Sequence, residues 1–432
     1  MSIPFSDFPE MFRIRQKFKD PKIDHLTDEV KTQLSRLNLK TKVRPGQTVA
    51  ITAGSRGITG INHILKAIVD HFKELKTRPF IVPAMGSHGG GTAQGQRQII
   101  ESYGITESFC GCPILSSMET VVVCHSPEGF PVHFDKYAYD ADHVVICNRV
   151  KPHTLLVGEI ESGLMKMMLI GLGKQSGAKI YHQAFHDYSF NQILRSVVKE
   201  VVVRTSILAG VGIVENSYGQ TAKIAAILPE KFENTEKTLL TQAKKWMPRL
   251  PFRKVDVLLI DEIGKNISGS GLDLNIVGRK HLWHASAENE FPKIRMIAIR
   301  NLTALTHGSA VGIGTVEFCH KRVLEKMDVN KTRINVLTGG YHMEAMIPLD
   351  YPTDYEMIQV MLSQIGLTQP ADAKLLWIRN TLELAEIECS AAYLEEAYSH
   401  TDLEILSDSR PLPFDDNGDL DDQHMNPKKI NC

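Results

Sequence analysis

Apolar and polar positions follow two rhythms along this chain. The run TVAITAGSRG (48–57) is a continuous apolar β-type stretch closing in a Gly-Ser-Arg-Gly turn, and INHILKAIVDHFKEL behind it has helical apolar spacing. RPFIVPAM (78–85) is a second strand, followed by the turn GSHGGGTAQGQ and the helical QRQIIESYG. Strand, glycine turn and helix, repeated, predict βαβ units on a parallel sheet. ETVVVCHSPEGFPVHFD (119–135) predicts a hairpin around Pro-Glu-Gly, and ADHVVICNRV (141–150) a buried strand.

Strands near 206–214 and 222–228 precede a polar helix, EKFENTEKTLLTQAKKWM, and then Pro-Arg-Leu-Pro at 248–251 breaks the pattern as a linker. Beyond it VDVLLIDEIG, RMIAIRNLT, RINVLTGG and KLLWIRNT read as strands and YEMIQVMLSQIG as an amphipathic helix. The expected fold is α/β: two domains with mainly parallel sheets and a cleft between them. Residues 1–250 form the first domain and 251–407 the second, with 408–432, rich in Asp, Pro and Asn, as a mobile tail.

Composition narrows the function. A chain of 432 residues, 43% hydrophobic and 23% charged, is an ordinary globular protein with room for two cores. Its net charge of -1 offers no basic stripe for phosphates, which argues against a nucleic-acid partner. Charges and prolines interrupt the N-terminus, MSIPFSDFPEMFRIRQKF, and no run reaches a membrane-spanning length, so the expected location is the cytoplasm. Seven cysteines, an odd count, fit reduced thiols there.

The chemistry gathers at strand ends. Gly54-Ser55-Arg56-Gly57 and Gly86-Ser87-His88-Gly89-Gly90-Gly91 stand where backbone N–H groups can approach an anion. Gln94 occupies the place where dinucleotide spacing needs a glycine, and neither turn is a P-loop. The glycines by themselves fit tight turns equally well. Arg56 can clamp a carboxylate or phosphate, and His88 can exchange protons near neutral pH. Lys166, in GLMKMMLIGLG, becomes a nucleophile if buried, or snorkels to water from an amphipathic helix. His153 follows a strand directly, and His182 lies 16 residues beyond Lys166. His182 and His186 make an i,i+4 pair that could share a metal if helical.

Taken together, His88, His153, Lys166 and His182 resemble the lactate racemase family of nickel-pincer-nucleotide enzymes. PAMGSHGGGTAQGQ, RVKPHTLLVGEIESGLMKMMLIGLGK, DEIGKNISGSGLDLNIVGR and RNTLELAEIECS look like its longer homologues, and the resemblance covers roughly residues 45–390. It implies a pyridinium-3-thioamide-5-thiocarboxylate mononucleotide nickel cofactor in the cleft, joined to Lys166 by a thioamide, with His182 as nickel ligand. His88 and His153 match the family's acid and base on opposite faces of the substrate, and Arg56 its arginine beside cofactor and substrate. Gly54, Ser55, Gly86, Ser87 and Gly89 are the implied cofactor-binding turn residues.

The implied reaction is inversion at C2 of a 2-hydroxy acid or sugar acid by reversible proton-coupled hydride transfer. Implied partners are that small molecule, the host's cofactor-making enzymes and another copy of the chain in a homo-oligomer. The chain departs from the pattern it resembles: lactate racemase itself has an acid-rich Asp-x-Thr-Arg-Pro where this chain has Thr52-Ala53-Gly54-Ser55-Arg56-Gly57, and has fewer residues between the second histidine and the lysine. The pocket is therefore expected to differ, and the turn Thr306-His307-Gly308-Ser309 to face the same cleft. Two other classes stay open: a zinc hydrolase using His88, His153 and His182, and a non-catalytic nucleotide- or anion-binding protein using the glycine turns and Arg56.

Overall fold

The strand Thr48–Ala53 is buried at every position after the first, as a central parallel strand must be when both faces are covered. The computed structural model that contains it describes residues 7–421 except Arg56 and Trp283. Its strands are β1 (Met11–Gln16), β2 (Thr48–Ala53), β3 (Arg78–Pro83), β4 (Thr120–His125), β5 (Pro131–Asp135), β6 (His143–Arg149), β7 (Ile207–Glu215) and β8 (Thr221–Ile227). They continue with β9 (Lys254–Ile260), β10 (Lys293–Ile299), β11 (Phe318–His320), β12 (Leu349–Tyr351), β13 (Leu375–Ile378), β14 (Glu386–Ser390) and β15 (Leu403–Ile405). The chain packs as two units, Lys19–Met247 and residues 7–18 with 248–421.

In the Lys19–Met247 unit the sheet runs β3-β2-β6-β7-β8, with only β8 antiparallel to its neighbour. Alternate side chains feed two cores: Val49, Ile51, Ile81 and Val145 on one face, Ala50, Phe80, Val82 and Val144 on the other. Helix Ile61–Glu74 covers the first face with Ile61, Ile64, Leu65, Ile68 and Phe72, its i, i+3, i+4, i+7 stripe. β4 and β5 pair as a separate hairpin.

The other unit has the order β12-β11-β10-β9-β13-β14-β1-β15, parallel as far as β13 and antiparallel beyond. The α/β class with mainly parallel sheets is thus as the sequence indicates. Among the described residues no helix is long and apolar enough to cross a membrane, and none of the cysteines is in a disulfide.

Three details differ from the sequence reading. Residues 11–16 lie in the second unit's sheet, because Met11 to Arg15 pair with β14 across more than 370 positions of chain, a partner that local patterning cannot reveal. RINVLTGG lies in a helix, Val329–Gly339, with Asp328 capping its N-terminus by accepting from the Lys331 N–H and Gly340 ending it at φ 76°. Its apolar residues mimic a strand because Ile334 and Leu337 face outward while Val336 is buried.

The part of the tail that is described, 408–421, is fixed rather than mobile. Leu412 and Leu420 are buried, and Met11 and Arg410 exchange backbone hydrogen bonds of 2.7 and 2.8 Å. Arg300 donates to the Leu420 carbonyl at 2.7 Å and pairs with Asp354 at 2.7 Å, while Asp419 accepts from Arg322 at 2.8 Å. Residues 422–432 lie outside the described residues.

Candidate active site

From β2 the chain crosses to β3 on one side and then to β6 on the other, so the topology reverses between β2 and β6. In open parallel sheets the crevice beyond the strand ends at such a point is where ligands settle. The Gly54-Ser55 turn leaves β2 there, the Gly86–Gly91 turn leaves neighbouring β3, and Lys151-Pro152-His153 follows β6.

These turns converge on the segment that carries Lys166. Gly86, at φ +60°, lies so close that a Cβ on it would stand 3.0 Å from Ile170 Cγ2, and its N–H donates to Gly171 at 3.3 Å. A Cβ on Gly54 would meet Met167 Cε at 3.3 Å. Gly89, at φ +67°, has no room for a side chain against the Gly95-Gln96 backbone. Half-buried Ser87 leads to exposed His88, whose Nδ1 shares a hydrogen bond with Ser55 Oγ and ties the first two turns together.

His153 is set by its own loop. Its Nδ1 accepts from the N–H groups of Leu155 at 3.1 Å and Leu156 at 3.0 Å, so in the neutral ring the proton sits on Nε2. Its backbone N–H donates to buried Glu161 at 2.9 Å, and Glu161 in turn accepts from Lys244 at 2.7 Å. The sequence reading missed Glu161; a lone Glu in GEIESG carries no local signal.

Half-buried Lys166 ends the short helix Leu164–Lys166, and the backbone then widens into a π-type turn, Met167–Gly171. Such turns are rare and cluster at functional sites. A carboxyl from another helix caps this segment: buried Glu236 accepts from Met165 N–H at 3.0 Å. Burial pushes Glu236 up to about 7 against the pull of the Met165 and Leu164 N–H groups.

His182 lies near the end of helix Lys174–Ala184, close enough to Lys166 to feel its charge. Burial first, then the Lys166 ammonium and His186, push its imidazole down to about 4, so it is neutral at pH 7. Its Nδ1 is buried without a hydrogen-bond partner. A neutral imidazole with an orphaned buried nitrogen beside a lysine fits a histidine ligand to nickel. His186 falls beyond the helix end at Ala184, so the two histidines do not share a helical face.

A second lysine, Lys174, is fully buried and paired with Asp135 at 2.9 Å, which commits its amine to structure. Arg56 lies outside the described residues. His88, His153, Lys166 and His182 therefore belong to one unit, with Ser55 joined to His88. His88, His153 and His182 form no grouping whose ligand atoms could share one ion. Among the described residues only His320, Asp354 and Asp419 do, in the other unit, where Arg300 and Arg322 already engage the two carboxylates.

Residues 13–192 match the family model described as the lactate racemase N-terminal domain. No curated protein matches the chain. Among solved structures it is similar to the lactate racemase apoprotein from Thermoanaerobacterium thermosaccharolyticum, at 14% identity and a TM-score of 0.53, covering 89% of this chain and 96% of that one. A protein from Thermotoga maritima is similar at 12% identity and a TM-score of 0.46, covering 76% of this chain and 84% of that one. The first likeness shows the shared fold. The match over residues 13–192 supports an isomerase of racemase or epimerase type.

Proposed function

We propose that this protein is a cytoplasmic nickel-pincer-nucleotide-dependent racemase or epimerase inverting C2 of a 2-hydroxy acid or sugar acid. The observation that carries the reading is the neighbourhood of Lys166 and His182, where a lysine stands beside a neutral imidazole whose buried Nδ1 has no hydrogen-bond partner. Lys166 would hold the nucleotide through a thioamide, His182 would ligate nickel, and the Gly54-Ser55 and Gly86–Gly89 turns would border it. When bound, the cofactor supplies a carbon that accepts and returns the C2 hydrogen with its electron pair.

The chain's own residues move the proton. One of His88 and His153 takes the hydroxyl proton while the other returns a proton on the opposite face, which is what inversion demands of two bases. His153 exchanges it at Nε2, because its Nδ1 is held by two backbone donors. Arg56 would fix the carboxylate so that only the reacting carbon turns over.

Intact mass and nickel content of protein purified from its native host test this reading. The expected result is a mass increment on Lys166 with stoichiometric nickel, lost in Lys166→Ala and kept in His88→Ala. An unmodified Lys166 without nickel in that material overturns it. Screening 2-hydroxy acids and aldonic acids, beginning with lactate, for loss of optical purity names the substrate.

A further inference from the structure

We propose that Gln96, oriented by the buried Lys174–Asp135 pair, is the positioning residue of the His88 turn. Gly86, Gly89, Gly90 and Gly91 all sit at positive φ, between 60 and 68°. Such a turn has few side chains to fix it and large conformational freedom to lose, so its geometry must come from outside.

Gln96 supplies it. The residue is fully buried, and its Nε2 donates to the Gly86 carbonyl at 2.8 Å and the His88 carbonyl at 3.3 Å. An amide holds two carbonyls only while its nitrogen points at them, and a flipped amide would present oxygen to oxygen. Lys174 fixes the choice by donating to Gln96 Oε1 at 3.3 Å. The same ammonium donates to the Pro83 carbonyl at the end of β3 and pairs with Asp135 at 2.9 Å. Lys174 itself is at φ +54°, a conformation a lysine holds only when its surroundings impose it.

Lys174 also opens the helix that carries His182. One polar chain, Asp135 to Lys174 to Gln96 to the His88 carbonyl, thus ties the proton-carrying turn to the element bearing the nickel ligand. The assignment rests on His88 being a proton carrier only for its kinetic consequence; the mechanical claim stands apart from it.

The test uses holoprotein from the native host. Gln96→Glu keeps shape and the acceptor toward Lys174 but removes both donors; the double variant Lys174→Met with Asp135→Asn keeps the donors and removes what orients them. Amide hydrogen exchange of residues 86–91 is expected to rise about tenfold in both, with helix Ile61–Glu74, nickel content and the Lys166 mass unchanged. With D-lactate as probe, kcat is expected to fall about tenfold with KM within about twofold of wild type, since position rather than binding is lost. Unchanged exchange at 86–91 in both variants overturns the proposal, as does loss of the Lys166 increment in step with faster exchange throughout the unit. Wild-type protein with neither nickel nor a mass increment on Lys166 would defeat the cofactor reading and leave the exchange result to decide this one.

Discussion

Each unit has a parallel sheet whose chain order reverses once, and the two differ in what they place at that reversal. At the strand ends of β3, β2 and β6 stand imidazoles, with a lysine on the segment packed against them; His88 shares a hydrogen bond with the Ser55 hydroxyl and His153 accepts from two backbone N–H groups. Between β9 and β13, where the second sheet reverses, the edge carries strong ions answering one another. Asp261 pairs with Arg300, and Glu262 stands 3.6 Å from Arg379 and accepts from Asn380 at 3.2 Å. A parallel sheet therefore supplies such a location twice, and the side chains gathered there differ.

The largest expected effect separates these edges directly. His88→Ala and His153→Ala should each lower turnover by roughly 10²- to 10⁴-fold, the range for loss of a general acid or base, without loss of the Lys166 mass increment. Arg379→Ala, at the other edge, should change turnover less than about tenfold, its exposed pairs being worth about 1 kcal/mol or less. Kinetics at saturating substrate check all three. Comparable losses in His88→Ala and Arg379→Ala would erase the distinction.

Next in size is the ion network holding the described part of the tail. Arg300→Met leaves buried Asp354 without its main partner, a loss of about 3–5 kcal/mol for a broken buried pair. Chemical denaturation should register it, and limited proteolysis should cut near 410–421 while the Lys19–Met247 unit stays resistant. An unchanged midpoint would mean the carboxylates find other partners.

That network was the least legible feature in the sequence. Asp419 and Arg322 are remote in the chain, and a segment rich in Asp, Pro and Asn looks the same whether paired or solvated. The strands β2, β3, β6, β9 and β13 could be read because buried parallel strands are continuous apolar runs. β1 could not, since MFRIRQ gains meaning only from pairing with β14. The candidate site divides the same way. His88, His153, Lys166 and His182 stand out as chemically able residues in glycine-rich or apolar surroundings. Glu161, Glu236, Gln96 and Lys174, which hold those surroundings in place, are ordinary polar residues whose burial appears only after folding.

Each unit also buries one carboxyl raised to about 7, Glu236 in the first and Glu344 in the second, burial being the main cause in both. A carboxyl whose folded value lies above its unfolded value binds more protons when folded. Stability then falls as pH rises from about 4.5 to about 7, by at most about 3 kcal/mol for each group. Glu236→Gln and Glu344→Gln should each flatten that part of the stability–pH curve. Denaturation at pH 5 and pH 7.5 measures the difference, and parallel curves for wild type and variant would mean the carboxyl ionises normally.

The smallest effect asks how finely the first edge is tuned. Ser55→Ala removes the hydroxyl that meets His88 Nδ1 while the Tyr103 hydroxyl still donates to the Ser55 carbonyl at 2.9 Å and keeps the turn in place. A single hydrogen bond of this kind is worth about 1 kcal/mol, hence about a fivefold fall in kcat with KM and nickel content unchanged. A loss as large as that of His88→Ala would make the hydroxyl a participant in proton transfer. No loss at all would leave the orientation of His88 to its turn, and so to Gln96.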